Sequence, residues 1–160
     1  MHNEGNRHPL ETILTQEVEC SRQLLDCLES EYDALIERDL ETLEITTNRK
    51  FDCSQQLEQL ETRRGTLVES LGFENTPGKL PQCFATLPCA RQLSLLWAQL
   101  LENIKACQTR NLTNGGILEA GRQHVEQALG ILRGQTGAPS VYAQDGEARA
   151  NLGQRELGKV

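Results

Sequence analysis

A chain of 160 residues suits one domain, and 38% hydrophobic residues with only 4% aromatics favour a slim helical bundle over a thick globular core. It has no apolar run of roughly 20 residues to cross a bilayer, and its polar opening, MHNEGNRHP, lacks the apolar centre of a secretory signal, so the expected location is cytoplasmic. The net charge of −7 is concentrated between Leu10 and Leu71, with 15 acidic and 6 basic residues, and this argues against nucleic acid as the main partner.

In chain order, residues 1–8 read as disordered, and Pro9 suits the first turn of a helix over about 9–37. Its apolar stripe is Leu10, Ile13, Leu14, Val18, Ser21, Leu24, Leu25, Leu28, Tyr32, Leu35 and Ile36. Asp39 is a natural N-cap for a second helix over 39–71, with Glu41 in its first turn. A hairpin at Arg38 is favoured over one bent helix, because two long stripes then cover each other. The expected stripe of the second helix is Leu40, Leu43, Thr47, Phe51, Ser54, Leu57, Glu61, Arg64, Val68 and Leu71, apolar at both ends and polar in the middle. The polar middle, with Thr47, Ser54, Glu61 and Arg64, reads as a loose or solvated part of the bundle, with a buried polar network as the alternative. Gly72 closes the helix.

Residues 73–88 contain Pro77, Pro81 and Pro88 and no helical stripe, so a loop crossing back along the bundle is expected. Gly72, Gly78 and Lys79 resemble a P-loop only superficially. One residue too many separates the glycines, Leu80 replaces the Ser or Thr, and a helix precedes them instead of a strand. A third helix over about 89–133 carries Leu93, Leu96, Trp97, Leu100, Ile104, Cys107, Asn111, Asn114, Leu118, Gly121, Val125, Ala128, Leu129 and Leu132. Gly115-Gly116 keeps the register and marks its weak point, so a single helix is expected, with two helices meeting there as the alternative. Trp97 reads as core.

The fold class is therefore all-α, an elongated antiparallel bundle or coiled coil of about three long helices. Residues 1–135 form the helical domain and 136–160 a disordered tail. In the tail, Val141-Tyr142 is an apolar pair beside a turn-like Asp145-Gly146, and Ala148, Leu152 and Leu157 fit one side of a short helix that Gly153 and Gly158 weaken.

Nothing in the chain reads as an enzyme. The six cysteines form no Cys-x-x-Cys and have no histidine at metal spacing, so they are expected as reduced, small hydrophobes. His124 follows Gly121 where a di-iron bundle needs Glu three residues earlier. No catalytic residue, cofactor or metal is expected. The residues alone give a helical interaction module, with a self-associating coiled-coil scaffold as the alternative.

Leu35 to Leu71 carries a resemblance. LIERDLETLEITTNRK, followed by Leu57, Leu60, Arg63 and Leu71-Gly72, is similar to the FlgN family of flagellar export chaperones. The correspondences are Arg38-Asp39, Lys50, and Arg63 or Arg64; then Asn103, Asn111 and Asn114-Gly115-Gly116; then the tail sequence VYAQDG. The resemblance implies a cytoplasmic type III export chaperone for the hook–filament junction proteins. Such a protein covers their C-terminal helical segments, prevents premature assembly, and delivers them to the export gate and its ATPase components. It touches the membrane only through that apparatus and needs no cofactor. A sister chaperone of the filament cap is a further alternative. The family's tail tyrosine is tied to the gate and the segment after it to the client. Carried over, Val141, Tyr142, Asp145 and Gly146 dock on the gate, and Glu147, Ala148, Leu152 and Leu157 hold the client. Ala143 departs from the family's glycine after the tyrosine.

Overall fold

A computed structural model describes residues 7–134, which are 85% helical with no strand among them. The elements are α1 (Pro9–Glu37), α2 (Leu40–Ser70), α3 (Leu80–Ala85) and α4 (Ala90–Leu132). They fall into two compact units, divided within α4 after Gly116.

In the first unit, α1 starts where its sequence supplies a cap. The His8 Nδ1 accepts the Leu10 N–H at 3.2 Å, and Pro9 fills the position that needs no donor. Arg38 ends the helix in the left-handed region, at φ 58°. Asp39 then starts α2, accepting the Thr42 N–H at 3.1 Å. The expected hairpin forms on these two residues.

Four contacts fix α1 antiparallel to α2. Cys20 and Cys27 each direct a thiol to the carbonyl of Cys53 and Thr46, at 3.4 Å and 3.1 Å, while Glu17 pairs with Arg64 and Glu31 with Lys50. The face of α2 that meets α1 matches the expected stripe at Arg64 and Val68 and departs from it at other positions. Thr46, Leu60, Arg64, Gly65 and Val68 are buried, whereas Phe51 is 66% and Leu40 79% exposed, and Thr47, Ser54 and Glu61 also face outward. A stripe drawn through Phe51 has the wrong register, because polar residues occupy the true seam and find partners on α1.

The core lies at the other end of this hairpin. Leu10 and Leu14 of α1, Val68 of α2, and Leu93, Leu96, Trp97 and Leu100 of α4 enclose Leu80, Cys83 and Phe84. Those last three are the buried face of α3, a helix absent from the expected loop. Their spacing of i, i+3 and i+4 gives one helical face. Pro81 sits in the first turn, where it breaks no hydrogen bond. The connection does not cross back along the bundle, since the end of α2 and the start of α4 share one cluster. Gly72, at φ 87°, turns the chain out of α2, and α4 begins at Ala90, past Pro88.

Beyond the cluster α4 runs parallel to α1. Asn103 donates to Ser21 Oγ at 3.0 Å, and Asn114 to the Leu28 carbonyl at 2.9 Å. The helix passes through Gly115-Gly116 unbroken. In the second unit it continues to Leu132 and ends at Gly134, at φ 75°.

Candidate functional site

Two features of the molecule bear on function: a ladder of buried polar residues joining the helices, and an uncovered aliphatic face on the second unit.

The ladder has two rungs. In the first, Glu17 forms a buried ion pair with Arg64, whose guanidinium also donates to Asn75 Oδ1 at 3.2 Å and lies 5.1 Å from the centre of the Trp97 ring. Burial pushes the Glu17 carboxyl above its ordinary range, with Arg64 opposing that rise, and one carboxylate oxygen has no partner. In the second, Lys50 Nζ meets Glu31 Oε1 at 2.7 Å, and the Asn114 amide donates to Glu31 Oε2 at 2.7 Å. Glu17 and Glu31 are absent from the expected stripe of the first helix. A signal for them is present: two acids fourteen apart on α1 face two bases fourteen apart on α2, in reversed order, as an antiparallel heptad pairing requires.

These polar groups couple the helices to one another. Among the described residues no group of three or more His, Cys, Asp or Glu is placed to hold a metal ion, and all six thiols are free. No described helix is long and apolar enough to cross a membrane.

The second unit presents the aliphatic face. Leu118, Val125, Leu129 and Leu132 recur at heptad spacing along α4 and are all exposed, Leu132 to 82%. Arg122 beside them donates to Glu119 at 2.8 Å and also pairs with Glu126, so the two acids share one base. Chemically this is a surface for an apolar helix.

The residues that carry the resemblance now have places. Arg38-Asp39 is the hairpin turn, Lys50 and Arg64 are ladder members, and Asn103 and Asn114 tie α4 to α1, while Asn111 is exposed. Arg63 instead lines a shallow groove of about 460 Å³ between α1 and α2, with Gln16, Gln23, Gln56 and Gln59. A match to the FlgN protein family spans residues 1–150. The chain belongs to the FlgN family. FlgN proteins are flagellar export chaperones and not enzymes, so the absence of a catalytic motif accords with the family. A crystal structure of an FlgN flagella synthesis protein from Pseudomonas aeruginosa is 25% identical, with a TM-score of 0.66 over 71% of this chain and 89% of that one. No curated protein sequence matches the chain. The residues that the FlgN resemblance ties to partners, Val141, Tyr142, Asp145, Gly146, Glu147, Ala148, Leu152 and Leu157, lie outside the described residues.

Proposed function

We propose that this FlgN protein is the cytoplasmic chaperone of the hook–filament junction proteins. It holds their C-terminal helical segments, blocks premature assembly, and hands them to the export gate and its ATPase components. The observation that carries the reading is the uncovered face of Leu118, Val125, Leu129 and Leu132, on the helix that leads directly into the tail. An amphipathic client segment with no partner in the cytoplasm needs such a surface. The tail completes the site: Glu147, Ala148, Leu152 and Leu157 extend the client contact, and Tyr142, with Val141, Asp145 and Gly146, docks on the gate. Residues 1–135 are then the holding domain and 136–160 the binding tail.

The same face supports a second reading, because heptad aliphatics also pair with a second copy of the chain. Titrating the full chain with C-terminal peptides of the junction proteins and of the filament cap separates the readings. Binding restricted to the junction peptides is expected. Binding restricted to the cap peptide transfers the chaperone to another client. Binding of neither, with a mass that rises with concentration, favours the scaffold.

A further inference from the structure

α4 is held to the rest of its unit by two unlike interfaces. From Leu93 to Leu100 it buries Leu93, Leu96, Trp97 and Leu100 in the apolar cluster. Burying large apolar side chains is the strongest attachment a helix of this kind has. From Asn103 to Gly116 the attachment is mainly polar, with the half-buried Ile104 packed against the edge of the apolar cluster. Asn103 reaches Ser21 Oγ and the Val18 carbonyl, at 3.0 Å and 3.4 Å, and the Cys107 thiol faces the Ser21 carbonyl at 3.6 Å. Asn114 reaches the Leu28 carbonyl and Glu31, and Arg110 lies 4.7 Å from the Tyr32 ring centre. A hydrogen bond of this kind contributes less, because it replaces one made to water in the open state. Asn114 Oδ1 is buried without a hydrogen-bond partner, which disfavours the closed state. Gly115 and Gly116 follow at once, each weakening the helix relative to alanine. α1 and α2, by contrast, are joined over their length by both rungs of the ladder and both thiol–carbonyl contacts.

From this asymmetry we infer that α4 is a releasable strap. From Asn103 to Gly116 it lifts away from α1 while the apolar cluster and the α1–α2 hairpin stay closed. Asn103 and Asn114 are the clasp. Release bares Ser21, Leu28 and Glu31 on α1 and Cys107 on α4. It does not depend on the identity of the client.

Three buried cysteines report on the three interfaces separately. Cys107, 5% exposed, sits under the strap; Cys27, 1% exposed, lies between α1 and α2; Cys83, at 0%, lies in the apolar cluster. Burial pushes the Cys107 thiol up to about 11 and raises those of Cys27 and Cys83 as well, so alkylation near pH 8 requires opening. The test is timed alkylation of the native full chain with iodoacetamide, read site by site by mass spectrometry. Cys107 is expected to react at least about tenfold faster than Cys27 and Cys83, as a local opening requires. Asn114→Ala, and independently Asn103→Ala, should accelerate Cys107 several-fold and leave the other two unchanged. Equal rates at all three sites in the native chain, or parallel acceleration of all three in both variants, would overturn the strap.

Discussion

Two charged pairs, one buried and one half-exposed at its lysine, look costly in a slim bundle, and Glu17 shows the cost most clearly. Its carboxylate is desolvated, is compensated by Arg64 on one oxygen, and leaves the other unpaired. Removing one partner strands a buried charge, whereas removing both replaces a costly pair with packing. Arg64→Met is therefore expected to destabilise the chain by about 3–5 kcal/mol. Glu17→Leu combined with Arg64→Met should recover most of that loss in a urea-denaturation cycle. The raised Glu17 carboxyl sets the pH sign. Its folded pKa lies above the unfolded value of about 4.5, so its contribution is fully present below that pH and declines as the pH rises through the folded value. The stability of the native chain relative to the double variant should decline in the same direction. The rungs were half legible: Arg64 stood in the expected stripe and Lys50 among the family correspondences, while a stripe search, which rewards apolar residues, passes over Glu17 and Glu31. Complementary charge at a shared interval of fourteen was the readable sign.

At the scale of elements, helix starts and stops were the legible part. Pro9, Asp39 and Gly72 each stand where local chemistry demands, and the bounds of α1 and α2 follow from them. α3 was not legible, because a six-residue helix among three prolines has too few positions to show a period. Its role is nevertheless specific. Phe84 is 1% exposed, meets Trp97 edge-on at a centroid distance of 6.4 Å, and closes the end of the cluster. Phe84→Ala should cost about 3–5 kcal/mol by the cavity it leaves. The same substitution at the exposed Phe51, which the expected stripe placed inside, should change stability by less than about 0.5 kcal/mol. Equal losses at the two sites would show that the seam of α2 runs through Phe51 after all.

Over the whole molecule, the all-helical class and the antiparallel hairpin were readable from periodicity, and the family from ordered short motifs. The candidate surface was only half readable. Leu118, Val125, Leu129 and Leu132 were drawn as a continuation of the core stripe, since sequence period reports a face and not what covers it. Four large aliphatics left open, on a chain whose family exports flagellar proteins, are better explained by a partner than by the chain's own packing. The most direct measurement is isothermal titration of a junction-protein C-terminal peptide at several temperatures, into the full chain, the 1–135 fragment, and the full chain carrying Val125→Asp with Leu129→Asp. The full chain should bind with a negative heat-capacity change, and both altered forms should bind at least about tenfold more weakly, as expected when apolar surface on α4 and in the tail is buried together. Undiminished binding by the Asp variant would remove the α4 face from the site, and no binding by the full chain would contradict the chaperone assignment for this client.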